Sequence, residues 1–303
     1  MRARRLPLRL LATVVLGLAA STALPAEVGG RAPDTQGLLF RLEKAGLAPS
    51  YVFGTLHSGD PRVTALPEPV ARAFGEARTF ATEGRLSDGE IASFFEAAQF
   101  DDRRRLRDFF DAATIAQIRS RLGERAPAEA AFDRLKPWAV MLLLAEQPAI
   151  AGSDGETLDQ RLLADARRRN LAIVALELPD EQVAAFDAIA LPAQVALVSY
   201  LLTHRDKLAG EHDAVIAAWL DRDLAALAAL NEAQRRRNPE IAPYLAELTR
   251  HLVDNRSVQM AHRLFLPLRT GRVFAAVGAL HLHGPNSLLA LLREQGYRVR
   301  RVY

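Results

Sequence analysis

The chain contains no cysteine. That absence excludes disulfides, thiolate nucleophiles, cysteine-ligated zinc and a lipid-modified cysteine. Serine nucleophile elbows, phosphate-cradling glycine loops and dinucleotide-type glycine fingerprints are also missing. There is no low-complexity tract and no obvious linker, so a single folded unit is expected. Strong charge of one sign is lacking too. The formal net charge is only +3, and the arginine triplets 103–105, 167–169 and 235–237 are dispersed among acids and helical leucines. They read as solvated helix faces, and no RNA- or DNA-binding motif accompanies them, so no nucleic-acid partner is expected.

Much of the basic balance sits at the very start. Arg2, Arg4, Arg5 and Arg9 precede an uncharged run from Leu10 to Pro25, followed by small residues. The layout is that of a Sec-type signal peptide over residues 1–26, with cleavage after Ala23 or Ala26. Its apolar part is shorter than the ~20 residues of a membrane span. Cleavage after Ala26 removes four arginines and no acid, which takes the net charge from +3 to −1. The expectation is a periplasmic or secreted protein with no stable membrane span after cleavage, and one domain over residues 27–303. Half of the residues are apolar, enough for a core to hold such a chain without disulfides. The sequence gives no oligomeric state.

Strand signals cluster at the two ends. "LLFRLE" alternates apolar and polar residues, "YVFGTL" is rich in β-formers, and "TFATE" (79–83) is a short apolar run ending on an acid. "LAIVALELP" (171–179) reads as a strand in the middle. The chain closes with strand "RVFAAVGAL", helix "PNSLLALLREQG" and strand "YRVRRVY", an arrangement that predicts a parallel crossover. Residues 87–148 and 180–270 carry apolar residues at i, i+3 and i+4 and read as helical. Thr157 caps the helix "LDQRLLADARRRN". The fold class is therefore mixed α/β, with a central mixed sheet built from the N- and C-terminal segments and surrounded by helices, including helical insertions.

One phrase occurs twice. Gly54-Thr55-Leu56-His57 and Gly278-Ala279-Leu280-His281 each end an apolar strand, far apart in the chain. Strand carboxyl ends are where open α/β sheets place their sites. Two imidazoles brought to one sheet edge can share a metal ion, and a carboxylate completes a set with positions open to water. Glu83, at the end of "FATE", is the candidate carboxylate. A lone strand-end histidine is more often structural, and it is the repetition that points to a site. His283 shares a face with His281 if the strand persists, as a further ligand or as a flanking surface histidine. His204, His212, His251 and His262 stand in helical text without a metal-spaced partner and read as structural.

These residues resemble the TraB/PrgY/GumN family, which includes the Tiki metalloproteases. The two Gly-x-x-His motifs and Glu83 match its hallmarks. Arg256-Ser257-Val258-Gln259-Met260 matches its Arg-Asn-x-x-Met segment except at the asparagine. "LKPW", "LELPDEQ" and "GALHLHGPNSLLALLREQGYRV" fit its exported bacterial branch, and the resemblance spans about 37 to 303. It implies an α/β fold like that of erythromycin esterases and ChaN-like haem-binding proteins. It further implies a metal-dependent hydrolase, a peptidase, using manganese or cobalt, with zinc or iron as further options. His57, His281 and Glu83 would then hold the ion, with Glu83 either ligand or general base. Arg256 would stabilise an oxyanion or anchor a substrate carboxylate, against the plainer reading of a helix salt bridge. The partner is a peptide or small-molecule substrate. The alternatives are a metal-independent esterase-like hydrolase, and a non-catalytic periplasmic protein that binds a peptide or small ligand.

Overall fold

The computed structural model describes residues 34–84, 88–145 and 155–303; the expected signal peptide lies outside them. Six strands form one mixed sheet: β1 (Leu39–Glu43), β2 (Ser50–Thr55), β3 (Thr79–Thr82), β4 (Ala172–Ala175), β5 (Val273–Gly278) and β6 (Arg298–Arg301), in the order β4-β3-β5-β2-β1-β6. β4, β3, β5 and β2 run parallel, while β1 is antiparallel to both β2 and β6. The sheet is thus assembled from both ends of the chain, with one strand from the middle, and helices pack around it.

Burial explains the strand composition. β2 and β5 are buried along their whole length, as expected of parallel strands covered on both faces. Their side chains, with those of β1 and β3, form an apolar cluster around Phe40, Phe53, Phe80 and Phe274. A second cluster lies among the helices, around Trp138 and Phe186, which stack with ring centroids 5.0 Å apart. Among the described residues, no single helix is long and apolar enough to cross a membrane.

Two expectations need adjusting. The strand expected over 171–179 keeps strand geometry only to Ala175. Two further backbone hydrogen bonds, Leu176 N–H to Thr82 O and Glu177 N–H to Glu83 O (both 2.8 Å), then carry the chain beside β3 before Pro179 opens a helix. The closing β-α-β unit is parallel, but β6 does not lie next to β5: β2 and β1 stand between them. β1 and β2 form an antiparallel hairpin that claims the edge of β5, and the last strand pairs with the far side of β1.

Five helices matter for the site and its surroundings: α1 (Glu68–Gly75), α2 (Leu158–Arg168), α3 (Pro179–Asp187), α4 (Asn255–Leu268) and α5 (Leu288–Glu294). α4 continues from a π-helical turn over Arg250–Asp254. Such turns shift the helix register locally. Here Leu252 enters the helical cluster and Val253 the sheet cluster, and the two residues that follow at 256 and 257 both face inward.

Candidate functional site

The three parallel strands β3, β5 and β2 lie side by side, and each ends in a candidate residue. His57 follows β2 by two positions, Glu83 follows β3 by one, and His281 lies in a 3₁₀ turn (Ala279–Leu282) directly after β5. Thr55 pairs with Gly278 and Thr82 with Ala276, so the strand ends are nearly level. The three side chains converge: His57 Nε2 is 3.7 Å and His281 Nε2 3.8 Å from the same oxygen, Glu83 Oε1.

The two glycines of the repeated phrase serve different needs. A Cβ at Gly54 would meet Leu282 Cδ1 at 2.8 Å and Ala279 Cα at 3.1 Å, so this glycine lets the His281 turn lie directly on β2. A Cβ at Gly278 would stand 3.4 Å from Glu83 Oε1, His57 Nε2 and His281 Cδ2 alike. Gly278 is therefore the floor beneath all three groups, and its N–H donates to Glu83 Oε1 (2.7 Å).

Each converging group is held from behind. His57 Nδ1–H donates to Asp159 Oδ2 (2.7 Å), and Thr55 Oγ1–H donates to Asp159 Oδ1 (2.6 Å). Ser257 Oγ–H donates to Val253 O (2.7 Å), which leaves Ser257 Oγ to accept His281 Nδ1–H (2.8 Å). With both Nδ1 atoms bearing hydrogen, the neutral form of either ring turns an Nε2 lone pair toward Glu83. Glu83 Oε2 accepts from Arg256 Nη2 (2.8 Å). Arg256 also grips Glu177 in fork fashion, Nε to Oε1 at 2.7 Å and Nη2 to Oε2 at 2.5 Å, and donates through Nη1 to Leu252 O (3.3 Å).

Charge in this buried cluster is unevenly distributed. Burial alone would raise the Glu83 carboxyl, but Arg256 and the two histidines hold it well below the usual carboxylate range. Burial pushes His57 down, yet the charge and hydrogen bond of Asp159, with those of Glu83, outweigh it and lift the imidazole to about 10. His57 therefore carries a proton at neutral pH. His281 has no carboxylate behind it; burial, with Arg256 and His57 adding to it and Glu83 opposing, pushes it down to about 4. Burial would lower Arg256, but Glu177 and Glu83 raise it above its ordinary value. Two buried carboxylates, Glu83 and Glu177, thus hold one guanidinium, while a third, Asp159, backs the His57 imidazole.

The donor types suit a divalent cation: two imidazole nitrogens with their far nitrogens tied, and one carboxylate oxygen. The spacing is looser than a finished ligand set. Bonds of about 2.0–2.2 Å put two donors of one tetrahedral ion roughly 3.3–3.6 Å apart, a few tenths of an ångström less than the separations from Glu83. Correspondingly, no three His, Cys, Asp or Glu side chains among the described residues are drawn together tightly enough to form a ready-made metal site.

The family model for the TraB/PrgY/gumN family matches residues 38–301. The chain belongs to that family. No curated protein and no solved structure matches it.

As a family member, the chain departs from the Arg-Asn-x-x-Met pattern at Ser257, and that position is the one hydrogen-bonded to His281. All four residues singled out in the sequence, His57, Glu83, Arg256 and His281, come together. Arg256 does so as the partner of Glu83 and Glu177, with four of its five N–H donors engaged by them and by Leu252 O. His283 turns away: the 3₁₀ turn ends the strand before it, and its Nδ1–H donates to Asp34 O (2.7 Å). His204 stacks on Tyr200 and His262 packs edge-on to Phe265, both outside the cluster.

Asp159, Glu177 and Ser257 did not stand out in the sequence. Asp159 had a signal, since it is an acid on the buried stripe Leu158, Leu162, Leu163, Ala166 of α2. Glu177, inside the apolar run 171–179, had a similar one.

Proposed function

We propose that the chain is an exported metal-dependent hydrolase that cleaves peptide bonds. One observation carries the reading: two buried imidazole nitrogens and a carboxylate oxygen face one another at the ends of three adjacent strands, each fixed from behind. Once His57 gives up its proton, three acceptors aim at one point, an arrangement that is mutually repulsive unless another positive charge takes the proton's place. His57, His281 and Glu83 would hold a divalent ion, manganese or cobalt by family resemblance, with zinc or iron as further options. When bound, such an ion lowers the pKa of a water molecule and polarises a scissile carbonyl.

The protein's own groups then have distinct tasks. Glu83 acts as a ligand and not as the general base, because Arg256 and the Gly278 N–H stabilise its anionic form and weaken it as a proton acceptor. Arg256 positions Glu83. With its guanidinium already shared between two carboxylates and a carbonyl, it has no fork left to offer a substrate. His57 must release its proton before its Nε2 can serve as a donor, so uptake of the ion releases a proton. The basic start and short apolar run of residues 1–26 support export to the periplasm or beyond.

A second reading rests on the Asp159–His57 pair itself, which gives a buried, protonated imidazole 3.7 Å from Glu83 Oε1. A metal-independent esterase would use His57 as general acid. Metal analysis of the purified mature protein, alongside His57→Ala and His281→Ala, separates the two. Near-stoichiometric manganese, cobalt, zinc or iron that is lost in both variants, with cleavage in a peptide library that depends on that metal, supports the metallohydrolase. A folded wild type that stays empty after soaking with each of these ions refutes it. Ester turnover by the empty protein would then favour the second reading, and ligand binding without turnover the non-catalytic alternative.

A further inference from the structure

Asp159 stands at the second position of α2, and its side chain is only 10 % exposed. Both of its oxygens are engaged, Oδ1 by the Thr55 hydroxyl (2.6 Å) and Oδ2 by His57 Nδ1–H (2.7 Å). Thr55 is the last residue of β2 and His57 lies two residues beyond, so Asp159 spans the chain on which His57 is mounted. The start of α2 is pinned to the same loop: Leu158 N–H donates to Ser58 O (3.2 Å), and a Thr157–Gln160 capping box fixes the first turn. A carboxylate gripped at both oxygens cannot swing, and neither can the ring it holds.

A buried carboxylate is a costly way to secure a loop. Backbone carbonyls or hydroxyls would do for a purely structural contact, as Ser257 does for His281. We propose that Asp159, clamped by Thr55, is the positioning residue of this site: it holds hydrogen on His57 Nδ1 and aims Nε2 at Glu83 Oε1. The role rests on the metallohydrolase reading for its purpose, although its geometry stands apart from it. A carboxylate behind an imidazole also makes the far nitrogen a stronger donor, and loss of such a partner typically costs about 10–100-fold in metal affinity. The two histidines are therefore unequal: His57 is oriented by a charged group and His281 by a neutral one.

Two readouts on the full mature chain test this. The first is proton NMR of the ¹⁵N-histidine-labelled protein in the presence of chelator, which needs no metal. The His57 Nδ1–H should appear as a downfield, exchange-protected signal in the wild type, persist in Thr55→Val with faster exchange, and vanish in Asp159→Leu. The second is Mn²⁺ titration by calorimetry, in which affinity should fall about 10–100-fold in Asp159→Leu and less in Asp159→Asn, which retains an acceptor. Asp159→Asn is nearly isosteric and keeps the test open should the leucine variant fail to fold. A wild type without the protected signal overturns the proposal, as does unchanged Mn²⁺ affinity in Asp159→Asn and Asp159→Leu. A protected signal that depends on Asp159 in a protein that binds no Mn²⁺ supports the positioning role and rejects the metallohydrolase reading instead.

Discussion

Replacing Arg256 by methionine tests how the site is held together. The Arg256, Glu83 and Glu177 side chains are 7 %, 11 % and 0 % exposed, so water cannot compensate a lost partner. Removing one member of a buried ion pair costs about 3–5 kcal/mol, because the charge left behind stays buried and unpaired. Two carboxylates are stranded here, which puts the expected loss at the upper end of that range. At about 2–4 °C per kcal/mol, the scale for domains of about 150–250 residues, a loss near 5 kcal/mol should lower the melting temperature by roughly 10–20 °C. Urea denaturation gives the free energy and a thermal melt the temperature. Neutralising the stranded acids should relieve the loss. Arg256→Met combined with Glu83→Gln and Glu177→Gln should recover most of the stability, since full replacement of a buried ionic cluster by uncharged groups is often close to neutral. Arg256→Lys should fall between, because an ammonium cannot fork across two carboxylates. If Arg256→Met loses less than about 1 kcal/mol, or if the triple variant is no better than the single, Arg256 does not hold the cluster. Its guanidinium would then be free for the oxyanion or substrate-anchoring role expected from the sequence.

Two further outcomes follow from the same geometry. Gly278→Ala places a methyl group 3.4 Å from His57, Glu83 and His281 at once and should abolish metal uptake with little change in melting temperature. Gly54→Ala meets Leu282 and Ala279 at closer range and should lower stability by about 1–3 kcal/mol through overpacking; equal effects from the two substitutions would contradict the separate roles given to these glycines. Stability in chelator should be greatest near neutral pH. His57, raised from 6.5 to about 10, contributes stability that is complete below pH 6.5 and lost as pH rises through 10. His281, lowered to about 4, contributes stability that is present above pH 6.5 and lost as pH falls through 4. Thermal melts across this range should show the alkaline decline flattened in His57→Gln and the acid decline flattened in His281→Gln. An alkaline limb that His57→Gln leaves unchanged would count against the Asp159–His57 pairing.

Much of the architecture could be read from local pattern. Alternation marked β1, unbroken apolar runs marked β2 and β5, and glycine followed by histidine marked the strand ends that meet. The limits lay with partners distant in the chain. Asp159 is 102 residues from His57, and Glu177 is 79 from Arg256; nothing in the local text of either residue names the other. The apolar run 171–179 outlasts the strand, because periodicity does not mark where ladder pairing gives way to the last two hydrogen bonds beside β3 and the helix that Pro179 opens. The π-helical turn at Arg250–Asp254 has no local signal for a related reason: its residues suit an α-helix, and the shift in register shows in tertiary packing, where Leu252 and Val253 enter different clusters. Arg256 was located but its partners were not, so its guanidinium looked available when it is shared between two acids.

The repeated phrase is better understood as two solutions to one placement problem than as a duplicated functional unit. Parallel neighbours β2 and β5 finish level with each other, and a histidine just past either end reaches the same space above the sheet. Beyond that, the copies diverge. After β2 the chain stays open, its histidine is gripped by a carboxylate from α2, and its glycine makes room for the other copy. After β5 the chain tightens into a 3₁₀ turn, its histidine leans on a hydroxyl from α4, and its glycine floors the site. A true repeat would present equivalent surroundings, and exchanging the two motifs would then be tolerated. Here the surroundings differ in charge, backbone and packing, so Thr55, which clamps Asp159, and Ala279, which lies against Gly54, cannot trade places without breaking the arrangement each supports.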